Sequence, residues 1–147
     1  MLLKLLAMSL LLGIACARAG AFQIPEGWVV SPANDKAEGE AGYRVLHQDS
    51  GIELVYVPAG KFLMGSEEGE PDKRPVHEVE LSAFWIGLTE VTVKQWRMAM
   101  GSLPDKSLNV QVNDQGDDHP VVVVYHQDCC TFCQNLGVRL PTEAEWE

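Results

Sequence analysis

Basic residues are scarce: 11 Lys and Arg stand against 21 Asp and Glu in 147 residues, a formal charge of −10. Residues 1–19 hold Lys4 and Arg18 and no acid, so the remainder is more acidic still. Such a balance repels phosphate backbones and anionic headgroups, which excludes sequence-independent nucleic-acid binding and electrostatic attachment to lipid. A membrane-spanning helix needs ~20 consecutive apolar residues, and the apolar run Leu5–Ala15 falls well short of that. No internal repeat or low-complexity tract is visible. With 46% hydrophobic and 22% charged residues, the chain is also unlike a disordered one. What remains is a globular chain of at most one domain.

The N-terminus has the layout of a secretory signal peptide. Lys4 supplies a positive start, Leu5–Ala15 an apolar core, and Ala17-Arg18-Ala19 and Ala19-Gly20-Ala21 two small-x-small cleavage sites. Export to a periplasmic or extracellular compartment is therefore expected, with residues 1–19 as leader. A lipoprotein reading places lipid on Cys16, the one route by which this chain would reach a membrane.

Residues 20–50, with Pro25 and Pro32, read as an irregular lead-in holding one strand at Tyr43–Leu46. From Gly51 the texture turns β-rich. Ile52–Val57 and Lys61–Met64 flank Pro58-Ala59-Gly60 and predict a hairpin with a three-residue loop. Glu67–Pro75 is charged and predicts an exposed loop, followed by strands over His77–Leu81 and Ala83–Leu88. Thr92 and Gln95 form a capping box ahead of a helix over Val93–Met100, which Gly101 ends. Residues 101–118 form a polar loop, and the β-branched run Pro120–Val124 predicts a buried strand. Asp128 is placed to cap a helix over Cys129–Leu136. Thr142 and Glu145 make a second capping box, yet the sequence stops at Glu147, little more than one turn later. A lone turn does not sustain itself, so the reading is a truncated domain.

These residues resemble the formylglycine-generating enzyme, or sulfatase-modifying factor, family. Gly51–Ser66, Pro75–Val79, Thr89–Thr92, His119–Val122 and Arg139–Glu147 (RLPTEAEWE) follow the family's order and spacing. The resemblance covers residues 51–147, the N-terminal portion of the family's enzyme domain. It implies an α+β, loop-rich, C-type lectin-like fold, here truncated. It also implies copper(I) held by two cysteines, calcium sites, and oxidation of a cysteine in a sulfatase-type polypeptide substrate to formylglycine. Those cysteines and calcium ligands lie downstream of the Arg139–Glu147 motif. No catalytic, cofactor-binding or metal-binding residue is therefore assigned in residues 1–147. Copper and calcium belong to the full-length domain.

The residues that are present make poor substitutes. Cys129, Phe132, Cys133 and Leu136 recur at i, i+3, i+4, i+7, one helical face, which makes the two cysteines core residues. Cys130-Thr131-Phe132-Cys133 has C-x-x-C spacing but lies inside a helix with no βαβ pattern around it. His126, Cys130 and Cys133 are metal-ligand types without a fourth ligand in register. Asn113–Asp118 is acidic but lacks a calcium-loop spacing. His126 also departs from the family, which usually has Trp there. Glu90 and Arg139 are expected as scaffold residues in ion pairs or backbone caps, and Trp85, Trp96 and Trp146 as core. An exported chain favours disulfides, and an odd three cysteines after the leader predicts a partner in further sequence.

Two function classes follow. One is a copper-dependent oxidase acting on sulfatases. The other is a non-catalytic family member serving as an envelope or secreted binding or structural module. Iron-dependent sulfoxide synthases share the domain but are intracellular and need a His-rich iron-binding domain, which neither the leader nor four His supports.

Overall fold

A computed structural model describes residues 13–15, 22–68, 73–104 and 116–147. Most of the expected leader, Cys16, the middle of the charged loop after Glu68 and residues 105–115 of the polar loop lie outside the described residues. The described chain is α+β, as expected. Seven strands run in the order β1 (Gly13–Ala15), β2 (Trp28–Val30), β3 (Arg44–His47), β4 (Ile52–Val57), β5 (Gly60–Met64), β6 (His77–Leu81) and β7 (Phe84–Gly87). Three helices follow: α1 (Val93–Met100), α2 (His126–Asn135) and α3 (Glu143–Trp146).

The main sheet has the order β1-β7-β4-β3-β2, with every pair antiparallel. β1, inside the expected leader, occupies the outer edge beside β7. β3 and β4 form a hairpin whose turn is closed by Gly51 N–H donating to His47 O at 2.8 Å. Ser50 Oγ lies 2.9 Å from His47 Nδ1 in the same turn.

The expected hairpin between Ile52–Val57 and Lys61–Met64 does not form. β4 pairs with β3 and β7, whereas β5 pairs with β6 in a separate two-stranded sheet. Residues 58–83 thus leave the main sheet and return to the same spot, since Val57 and Phe84 are register partners. The alternation of side chains sets which face of a strand is buried, not which strand lies beside it. At the end of β5 the backbone is tight: a Cβ on Gly65 (φ +98°) would stand 2.5 Å from Lys73 O. Only glycine fits there.

The lead-in is more structural than its composition suggests. β2 adds to the main sheet, and Phe22 sits 5.0 Å from Tyr43, 5.1 Å from Tyr56 and 5.6 Å from Trp85 between ring centroids. Trp85 Nε1 donates to Gln23 O at 3.2 Å, which satisfies the indole in the core.

One apolar cluster joins the sheet to the helices. Val45, Leu54 and Trp85 from the strands meet Val93 and Trp96 of α1 and Cys129, Phe132 and Cys133 of α2. α1 begins as expected, with both halves of its capping box made: Gln95 N–H donates to Thr92 Oγ1 and Thr92 N–H to Gln95 Oε1. It ends at Gly101, whose φ of +74° lets its N–H return to Arg97 O. Pro120–Val124 is not a strand. It makes one bridge, Pro120 to Thr92, and Val123 takes a left-handed φ of +58° that breaks any ladder. Among the described residues no helix is long and apolar enough to cross a membrane.

Candidate functional site

The chemistry-bearing residues singled out in the sequence converge on α2 and the segment after it. α2 starts at His126, three residues before the expected Cys129. Tyr125 is its extended N-cap and makes no side-chain cap bond. Asp128 is consequently not the cap. It lies in the first turn, where its carboxylate faces the positive end of the helix dipole.

The helix divides its residues sharply by face. Phe132 is fully buried and stacks on Trp96 with centroids 5.0 Å apart and planes 7° apart. Asn135 Nδ2 donates to Ala99 O at 3.0 Å and ties the two helices together. Cys129 and Cys133 are buried beside Phe132, as the helical spacing predicts. Burial, reinforced by Asp128 and Cys130, pushes the Cys129 thiol up to about 11. Burial, reinforced by Cys129 and Cys130, pushes Cys133 up to about 12. Both stay protonated at neutral pH. A copper(I) site needs thiolates that can be reached, so this pair does not fit that metal. No step of the family's oxidation can be routed through it.

Cys130 is half-exposed, with Sγ 3.7 Å from Nδ1 of the exposed His126. Cys130 and Cys133, at i and i+3 of the helix, differ in burial: Cys130 is half-exposed and Cys133 buried. The three cysteines are free thiols, with no disulfide among the described residues. Likewise, no three or more His, Cys, Asp or Glu side chains are grouped to hold a metal among the described residues. Of the acidic loop, residues 113–115 lie outside the described residues. Asp117 Oδ1 accepts from Arg97 Nη1 at 3.0 Å on the surface.

After α2 the chain turns at Gly137 and enters the Arg139–Glu147 motif, which folds around one carboxylate. Glu145 accepts both Arg139 guanidinium nitrogens, Nη2 at 2.6 Å on Oε1 and Nη1 at 2.8 Å on Oε2. Oε2 also accepts Thr142 N–H at 2.8 Å, and Glu145 N–H donates back to Thr142 Oγ1 at 3.2 Å. The paired guanidinium holds the Glu145 carboxyl below its ordinary range despite burial, and the carboxylate raises Arg139 in turn. Arg139 Nη1 further donates to Leu140 O at 2.8 Å, so one ion pair fixes both flanks of Pro141. Glu147 Oε1 accepts from Gly65 N–H at 3.0 Å and anchors α3 to the end of β5.

Arg139 thus has the scaffold role expected of it. Its partner Glu145 is not evident from residue type, although the capping box places it at the third helical position, turned back toward the loop. Glu90 is half-buried between β7 and α1. Trp85 and Trp96 are core, but Trp146 is not: it is 58% exposed on the single turn of α3, which buries none of its residues. Tyr125, the N-cap of α2, is 51% exposed.

The comparisons with known proteins agree with this architecture. The family model for the sulfatase-modifying factor enzyme 1-like domain matches residues 43–147. Over 114 residues the chain is 36% identical to a protein named serine/threonine-protein kinase pkn1 from Chlamydia caviae, covering 65% of this chain and 18% of the relative. It is 25% identical over 149 residues to the formylglycine-generating enzyme of Mycobacterium tuberculosis, covering 65% of this chain and 50% of that enzyme. It is 37% identical over 78 residues to the formylglycine-generating enzyme of Mus musculus, covering 53% and 18% respectively. The chain thus spans half or less of these relatives' lengths. No solved structure matches it significantly. With the family model matched from the strand pair β3–β4 through the Arg139–Glu145 unit, the chain belongs to the sulfatase-modifying factor enzyme 1-like family.

Proposed function

We propose that this chain is the front portion of an exported formylglycine-generating oxidase, which acts in full length on a cysteine of a sulfatase-type polypeptide. The supporting observation is the family match over residues 43–147, joined to similarity with two proteins named formylglycine-generating enzyme. The fold proposed for the complete domain is the loop-rich, C-type lectin-like one. The described residues after the leader contribute scaffold to it: strands β2, β3, β4 and β7 of the main sheet, the α1–α2 pair and the carboxylate-centred turn at Glu145. Copper and calcium are assigned to the full-length domain by the family resemblance, and the buried, weakly acidic Cys129 and Cys133 are not the copper ligands of this reading.

The test uses the full-length protein supplied with copper(I) and a sulfatase-motif peptide, followed by mass spectrometry for the change from thiol to aldehyde. Conversion supports the oxidase. No conversion, together with no closely spaced cysteine pair in the sequence beyond Glu147, refutes it. Export is tested by N-terminal sequencing of the mature protein, which should begin just after Ala19 or Ala21; a lipid-bearing Cys16 at the new terminus would replace that reading.

A second reading has its own support. Three relatives, 30 to 36% identical to this chain, bear the name of a serine/threonine-protein kinase, so the family's domain also occurs in proteins named for another activity. On that reading the domain is a non-catalytic envelope or secreted binding or structural module. Retained fold with no peptide oxidation would favour it.

A further inference from the structure

We propose that the outer edge of β7 is a strand-accepting site, held in cis by β1 until the leader is removed and taken afterwards by an extended segment of a partner protein. The partner's chemistry is that of the strand it replaces, Gly13-Ile14-Ala15: a short, uncharged run of small or β-branched residues with no proline opposite Trp85. The proposal rests on the proposed export, because β1 lies within residues 1–19.

Register decides which backbone groups of β7 pair outward. In an antiparallel ladder each residue turns its N–H and C=O to one side, and successive residues alternate. Tyr56 spends both on the β3 side, donating to Tyr43 O at 2.8 Å and accepting from Gly42 N–H at 3.0 Å. Its neighbours Val55 and Val57 therefore turn to β7, where Ile86 and Phe84 stand opposite them. Leu88 N–H donates to Glu53 O at 3.0 Å, which continues the same alternation. Trp85 is left turned away from β4, and Ile14 of β1 stands opposite it. With β1 gone, the Trp85 N–H and C=O form an open edge, the template on which a further strand adds.

The edge does not depend on β1 for its shape. β4 stands opposite all four residues of β7 on the other side. The Trp85 ring packs against Phe22, Tyr43 and Tyr56 at 5.6, 6.3 and 5.2 Å between centroids, and its Nε1 donates to Gln23 O at 3.2 Å. All of these contacts come from residues after the leader, so its removal leaves a preformed strand that needs little ordering to bind. Sheet edges are usually blunted by charge, proline or a bulge, and Phe84–Gly87 carries neither charge nor proline.

The test compares the full-length protein with and without residues 1–19 by hydrogen exchange at single amides. The Trp85 amide should exchange slowly with the leader and ~10-fold or more faster without it, while Phe84 and Ile86 stay protected by β4 in both forms. A peptide of residues 10–18 carrying Cys16→Ser, added to the leaderless protein, should restore the protection of Trp85. Methylating the peptide's amide nitrogen at Ile14 should weaken its binding by ~10-fold or more, whereas methylation at Ala15, which turns outward, should not. Equal Trp85 protection in the two forms, loss of protection at Phe84 and Ile86 as well, or indifference to methylation at Ile14 would each overturn the proposal. Trp85 protection that rises with protein concentration in the absence of peptide overturns the proposed occupant, since a second copy would then fill the edge. N-terminal sequencing that finds residues 1–19 retained overturns the exchange of strands without bearing on the peptide result, so a failure of export and a failure of the edge are told apart.

Discussion

Alanine and glycine at Val123 should rank opposite to their usual order. Val123 holds a φ of +58° in the link between α1 and α2, where any residue with a Cβ is crowded against the following carbonyl. That crowding costs roughly 1–2 kcal/mol for an L-residue and is worst for a β-branched one. Glycine escapes it but loses ~0.5–1 kcal/mol because its unfolded chain is freer. Alanine keeps the Cβ, and with it the strain. Both variants discard the two methyl groups of a half-buried side chain, and glycine discards the Cβ as well, which offsets its gain by about half of the ~0.8 kcal/mol of a buried carbon. Glycine should therefore be more stable than alanine by up to about 1 kcal/mol, whereas at an ordinary position it is less stable by ~0.5–1 kcal/mol. For a chain of this length that corresponds to a Tm higher by ~2–4 °C. Paired thermal and urea unfolding of Val123→Gly and Val123→Ala measures it, with equal urea slopes required for a fair comparison. An alanine variant equal to or more stable than the glycine variant would refute a strained Val123.

Other perturbations read other parts of the fold. Phe132→Ala should destabilise by ~3–5 kcal/mol, since it empties a fully buried site and unstacks Trp96; a loss under about 1 kcal/mol in urea unfolding would mean the α1–α2 contact is not formed. Glu145→Gln should cost about 1–2 kcal/mol at neutral pH, less than a fully buried pair because the Arg139 side chain is 38% exposed. Glu145 is held below the ordinary carboxylate range, so its contribution is complete above that range and is lost as pH falls through the folded value. The Gln variant should show a flatter acid limb, and an unchanged limb would dissociate Glu145 from acid stability. Cys129 and Cys133 are raised to about 11 and about 12, so between pH ~9 and those values the folded chain binds more protons than the unfolded one. Stability should fall across that alkaline window, and a thiol reagent at neutral pH should label Cys130 well before the other two, as peptide mapping would show.

Local signals in the sequence translate directly into structure, and signals that depend on distant partners do not. The two capping boxes, at Thr92 with Gln95 and at Thr142 with Glu145, lie within four residues, and both are made. β4 is legible as a strand because its period-two pattern buries Ile52 and Leu54. Its partners are not, because the same pattern suits pairing with β5 as well as with β3 and β7. The Val121–Val124 run misleads for a related reason: β-branched residues favour extended backbone, but the bridge to Thr92 and the entry into α2 override that preference at Val123. Residue type alone places Trp146 in the core, yet a single turn exposes part of its circumference whatever residue stands there.

The difference with the largest consequence is the start of α2. A helix beginning at Cys129, as the capping potential of Asp128 suggests, would leave His126 in extended chain, where each residue advances ~3.3 Å and carries the imidazole away from Cys130. Because α2 begins at His126, Asp128 moves into the first turn and His126 falls one turn behind Cys130. Three residues of helix boundary thus decide whether the imidazole and the thiol meet at 3.7 Å or stand apart. Shortening the helix from its front should separate them. Gln127→Pro would serve poorly, since proline is tolerated in the first turn. Cys129→Gly, in the helix and facing the core, should loosen the turn between His126 and Cys130 and remove a buried thiol. It should therefore lower stability in urea unfolding, by ~1 kcal/mol or more, and a variant as stable as the parent chain would show that the fold does not rely on that turn of α2.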